Sequence, residues 1–92
     1  MLIEFDTNKR DKTLFERGID FADDAKMFAG HQYTLQDTRQ EYDEPRFITV
    51  GKLNERMVII VWTPRGESRR IISMRKCNDR EQERYKNCSF KE

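Results

Sequence analysis

Arg65 to Lys76, RGESRRIISMRK, holds the residues best suited to chemistry: four Arg and one Lys against a single Glu. Crowded guanidinium groups repel one another, and an anion with paired acceptor oxygens, phosphate above all, relieves that repulsion. The segment follows an apolar run, MVIIVW at 57–62, and reads as the second arm of a β-hairpin. Alternation along such a strand puts Arg69, Ile71, Ser73 and Arg75 on one face and Arg70, Ile72, Met74 and Lys76 on the other. The second set, two large apolar residues flanked by long cations able to snorkel, is the expected core face. The first set then spaces two guanidiniums and a hydroxyl about 6.5 Å apart, step to step, which suits phosphates. Arg65 in the turn and Arg46 and Lys52 on the preceding strand extend the patch. The plainer reading is a row of solvated cations that keeps an edge strand from aggregating.

Other chemical candidates are sparse. His31 is the sole histidine, and without further His, Cys or acidic neighbours it does not make a zinc site. Trp62 is either a core residue or, beside cations, a stacking surface for a base. Cys77 precedes a helix cap, a position able to lower a thiol pKa. A helix over 79–87 would hold Cys77 and Cys88 about 16 Å apart, too far for a disulfide. Two free thiols suit a reducing compartment. There is no Gly-rich phosphate loop, no Ser-His-Asp arrangement and no metal motif, so no cofactor is expected.

Those residues need a scaffold. Ninety-two residues make one domain, 1–92, with a modest core. Hydrophobic residues are 36% and charged residues 38%, so the exterior is heavily charged. The net charge of +1 hides an asymmetry: residues 1–45 carry 6 basic against 11 acidic side chains, and 46–92 carry 12 against 6. That split predicts a basic face and an acidic face rather than a general polyanion binder. No apolar run reaches the roughly 18 residues of a membrane span, and the opening lacks the order of a signal peptide, so a cytoplasmic location is expected.

Leu2 to Phe5 reads as a short strand. Asp6 caps a helix over 7–17 that ends at Gly18, and Asp20 caps a second helix that stops at Gly30. Phe21, Ala25 and Phe28 give that second helix an apolar stripe. Strands follow over 33–37, 46–53, 56–63 and 68–76, with turns at Asn54-Glu55 and Pro64 to Glu67. Asn78 and Glu81 form a capping box for a last helix over 79–87. The order β-α-α-β-β-β-β-α predicts a two-layer α+β domain. Its antiparallel sheet of four to five strands has two N-terminal helices on one face, the other face being largely open.

With these motifs assembled, the chain resembles the BrnT family of type II toxins. The resemblance runs through IEFDTNKRDKTLFERGIDFADDAKMF at 3–28, RFITVGKLNERMVIIVWTPRGESRRIISMRK at 46–76 and REQERY at 80–85. It implies a RelE-like ribonuclease fold and a toxin that cleaves RNA and inhibits translation. It also implies a BrnA-type ribbon-helix-helix antitoxin as partner. Operator DNA would be reached only through that antitoxin, in a homodimer or a 2:2 hetero-oligomer.

RNA carries its own nucleophile, so aligned cations can promote cleavage without a metal. On this reading Arg65 and Arg69 bind the scissile phosphate and Arg75 adds a third cation. Lys52 or Lys76 is the candidate acid or base, with Glu55 or Glu67 as a weaker base. Arg46, Arg70, Lys76, Trp62 and Tyr85 hold the RNA. A basic antitoxin segment would dock on Asp20, Asp23 and Asp24 or on Glu41 to Glu44; alternatively the antitoxin covers the basic sheet face. The competing function is a non-catalytic nucleic-acid-binding or structural partner module built on the same cations.

Overall fold

The computed structural model describes residues 2–39 and 41–86. In chain order the elements are β1 (Leu2–Phe5), α1 (Thr7–Arg17), a 3-10 turn (Phe21–Asp23), α2 (Asp24–Ala29), β2 (Gln32–Gln36) and β3 (Phe47–Leu53). Then come β4 (Arg56–Arg65), β5 (Ser68–Lys76) and α3 (Asp79–Tyr85). The α+β class and the element order match the sequence expectation. The sheet is mixed rather than wholly antiparallel: its order is β1-β5-β4-β3-β2, and β1 lies parallel to β5 while every other pair is antiparallel. The two N-terminal helices lie between β1 and the rest, so the chain crosses over and returns in the same direction.

Local chemistry sets the boundaries. The Asp6 carboxylate accepts from the Lys9 backbone N–H at 3.0 Å and starts α1. Gly18 ends it at φ 68°, where a side chain would be strained. Asn54 and Glu55 both take positive φ, the twist a two-residue hairpin turn needs. The second hairpin is tighter than the sequence suggested. β4 runs through Pro64 to Arg65, leaving only Gly66 and Glu67 in the turn. Asn78 and Glu81 form the predicted capping box. α3 ends at Tyr85 with Lys86 as its cap, and residue 87, the expected end of the helix, lies with Cys88 outside the described residues.

The sheet has two differently covered faces. On one, Ile19, Phe21 and Met27 pack against Leu53, Val58, Ile60, Ile71 and Met74. Gly51 permits this approach: a Cβ there would meet the Met27 side chain and residues 31 and 32 at 3.3–3.4 Å. On the other, Cys77 and Tyr85 pack against Val50, Ile59, Met57, Ile48 and Val61. The short α3 therefore shields only one end of this second face. α1 buries none of its residues, and Phe15 is 91% exposed. It is fixed by ion pairing of Arg10 with Asp20 at 2.8 Å and by Arg17 donating to the Met74 carbonyl at 3.0 Å.

Candidate cationic cleft on the open sheet face

The decisive local feature is a bulge in β5. Val61 stands opposite Ser73 and Trp62 opposite Ile71, so Ile72 is the extra residue. Strict alternation therefore fails midway. Before the bulge, odd-numbered residues face the α1–α2 layer; after it, even-numbered ones do. Met74 and Lys76 fall on the covered side and Ser73 and Arg75 on the α3 side, as strict alternation predicts. Arg69 and Ile71 instead turn into the core, and Arg70 turns out toward the α3 side.

Arg69 is thus not an open-face cation. Only 8% of the residue is exposed, and its Nε donates to the Asp24 carboxylate at 2.6 Å. Its guanidinium lies 3.5 Å from the centre of the Phe28 ring and 5.7 Å from that of Trp62. Trp62 belongs to the same covered face. It stacks on Phe47 at 5.0 Å and donates from its indole N–H to the Thr49 hydroxyl at 2.9 Å. Stacking of Trp62 on a base is corrected to a packing role. Asp24 is fully buried, so it cannot belong to an exposed acidic dock. Asp20 already holds Arg10.

The remaining expected cations disperse. Lys76 faces the α1–α2 side, opposite Val58. Lys52 is exposed but sits two strands and two residues from Arg75, roughly 12 Å away, beyond the Val50–Ile59–Cys77 packing. Arg65 pairs loosely with Glu44 at 3.2 Å at the hairpin tip. Arg70 reaches Glu4 on β1 at 3.5 Å. Arg46 lays its guanidinium 4.1 Å from the centre of the Tyr42 ring, and among the described residues its buried Nε has no hydrogen-bond partner.

The α3 side nevertheless forms a cleft. A hollow of about 400 Å³ is lined by Ser73, Arg75 and Val61 from the sheet, by Glu81, Arg84 and Tyr85 from α3, and by Asp37 and Arg39 after β2. A second hollow of about 870 Å³ adjoins it, lined by the acidic 41–44 segment and Arg46. Two Arg–carboxylate forks mark the first. Arg75 holds Glu81 through two bonds of 2.7 Å, and Arg39 holds the buried Asp37 through two of 2.8 Å. Arg75 keeps the Glu81 carboxyl down at about 2, its paired bonds outweighing the opposing effect of partial burial. Arg39 holds Asp37 well below the usual carboxylate range, helped by the Tyr42 hydroxyl. Tyr85 tilts against Tyr33 with ring centres 6.3 Å apart.

The position of Cys77 before a helix cap does not lower its thiol: burial pushes it up to about 11. It packs in the core and accepts no activation from the cap. Glu81, Asp37, Arg39 and Arg84 are the cleft residues that sequence reasoning missed as site residues. Glu81 was visible only as a cap. Its second role had a signal, since a strand end and the helix start after it bring residues six apart, Arg75 and Glu81, back together.

A sequence model of the family described as "Ribonuclease toxin, BrnT, of type II toxin-antitoxin system" matches residues 5–81, most of the chain. No curated protein matches it. No helix among the described residues is long and apolar enough to cross a membrane.

Proposed function

We propose, from the premise that the chain belongs to the BrnT family of type II ribonuclease toxins, that it cleaves RNA on the open face beside α3, without a metal, and thereby arrests translation. The observation that carries this reading is the gathering of Arg75 with Arg39 and Arg84 around the smaller hollow, on the side of the sheet that α3 leaves partly bare. Glu81 on Arg75 and Glu4 on Arg70 are single, partly exposed side chains that a polyanion can displace, whereas Asp37 on Arg39 is buried and stays. An RNA strand offers one phosphate after another, and release of its counterions favours the exchange. Arg75 binds the scissile phosphate, while Arg70, Arg46 and Arg65 at the rim hold its neighbours. Tyr85 offers a ring edge for a base.

A BrnA-type ribbon-helix-helix antitoxin neutralises this activity in the cytoplasm, in a hetero-oligomer. Its basic segment docks on the 41–44 connection, where Glu41 and Asp43 are exposed beside the larger hollow. Charge reversal at Glu41 and Asp43 weakens antitoxin binding if this is right; unaltered affinity moves the dock to the arginine cleft.

The test of function is expression of the chain in a bacterium with and without antitoxin. Growth arrest with RNA fragmentation, relieved by Arg75→Ala and weakened by Arg70→Ala, is the expected result. Normal growth of cells making the folded wild-type chain overturns the proposal. RNA binding with strong salt dependence but no cleavage points to the non-catalytic module instead.

A further inference from the structure

We propose that Glu81 is the general base of this site, held in reserve by Arg75 and released when a phosphodiester takes its place; the inference rests on the ribonuclease reading above. Three observations support it. First, the Arg75–Glu81 fork lies in the cleft rather than in a sealed core, with the Arg75 side chain 43% exposed and that of Glu81 19%. A phosphodiester presents the same pair of acceptor oxygens to the guanidinium as a carboxylate does. It can therefore draw the exposed Arg75 side chain off Glu81 without moving the strand.

Second, the helix cap retains Glu81 when Arg75 leaves it. Its Oε1 also accepts the Asn78 backbone N–H at 2.9 Å, as part of the helix cap. That bond keeps the carboxylate beside the phosphate, with Oε2 turned toward the position Arg75 had filled. The 2′-hydroxyl next to the bound phosphate then comes within reach of Oε2. Third, Tyr85 stands one helical turn beyond Glu81 on the same face of α3 and also lines the cleft, where it orients the adjoining base.

The proton and bond changes balance as follows. Glu81 removes the proton of the 2′-hydroxyl as the 2′-oxygen bonds to phosphorus. Arg75 offsets the charge gathering on the two non-bridging oxygens. The bond from phosphorus to the 5′-oxygen breaks, and water at the open mouth of the cleft protonates that oxygen. The resulting hydroxide takes back the proton from Glu81. The products are a 2′,3′-cyclic phosphate and a 5′-hydroxyl end.

The test compares the purified full chain with its Glu81→Gln variant. Glutamine keeps the cap, because its carbonyl oxygen still accepts from Asn78, but it cannot take a proton. The probes are an end-labelled mixed-sequence RNA oligonucleotide and a messenger RNA in a translating extract. The expected result is RNA binding equal to or tighter than wild type, with cleavage at least about 100-fold slower. Cleavage by folded E81Q within about threefold of wild type overturns the inference, makes the fork a structural pin for α3, and leaves the ribonuclease reading standing. The wild-type products give a second check that does not depend on the variant folding. Cyclic phosphate and 5′-hydroxyl ends support the mechanism; 3′-hydroxyl and 5′-phosphate ends overturn it. If the wild-type chain cuts neither probe, the inference and the functional reading fall together.

Discussion

Arg69→Ala separates a structural arginine from a chemical one. In the folded chain Arg69 neutralises Asp24, which is fully buried and whose Oδ1 has no hydrogen-bond partner among the described residues. Truncating Arg69 strands that carboxylate in the core, and breaking a buried pair from one side costs about 3–5 kcal/mol. The contact with the Phe28 ring is lost as well, worth about 1–2 kcal/mol in a desolvated setting and partly contained in the same figure. Against a total stability of about 5–15 kcal/mol, this is a large fraction. With a urea dependence of about 2 kcal/mol per molar, the midpoint falls by about 2 M. Replacing both partners with apolar residues, Arg69→Met with Asp24→Leu, removes the stranded charge and restores most of the midpoint. The assay is urea unfolding followed by far-UV circular dichroism, with RNA cleavage measured on the folded fraction. The double variant is expected to keep its activity. Wild-type stability in R69A, or a stable double variant that no longer cuts RNA, refutes the reasoning and returns Arg69 to the catalytic group.

Three further outcomes are expected. Glu81 has its carboxyl held at about 2 in the folded chain, below its ordinary value of 4.5, so its pairing stabilises the fold above pH 4.5 and loses that effect as pH falls toward 2; thermal melts over that range should show a steeper loss for wild type than for E81Q. Trp62→Phe keeps the stack on Phe47 but deletes the bond to Thr49, and should cost about 1–2 kcal/mol in urea unfolding, with cleavage per folded molecule unchanged. With burial raising its thiol to about 11, Cys77 should resist iodoacetamide at pH 8 until urea unfolds the chain, as peptide mass mapping would show; rapid native labelling contradicts that burial.

The sequence was a good guide to elements and a poor one to faces. Asp6, Asp20 and Asn78 act within three residues of themselves, so their caps are readable from local spacing. The hairpins are equally local. The face of each arginine in β5 is not, because it depends on one extra residue at Ile72, and nothing in RRIISMR marks a bulge. The partner of Arg69 lies 45 residues away on α2, and only the packed fold brings it near. The arginine cluster also looked like one patch because its carboxylates are scattered through the chain. Glu4, Asp24, Glu44 and Glu81 come from four separate segments, and each meets a different arginine. A patch expected to be bare is a set of paired charges, and only part of it lies where a ligand can compete.

The placement of β5 between β4 and β1 carries a consequence for assembly. Leu2 finds its neighbour at Ser68, so β1 is seated only after β5 has been made. Until then the N-terminal segment has no sheet to join, and Asp24 has no cation to meet. A chain stopped before the second hairpin closes holds neither the buried pair nor the cleft. Fragments that stop short of β5 lack Arg69 and Arg75, and with them both the Asp24 pair and the Glu81 fork.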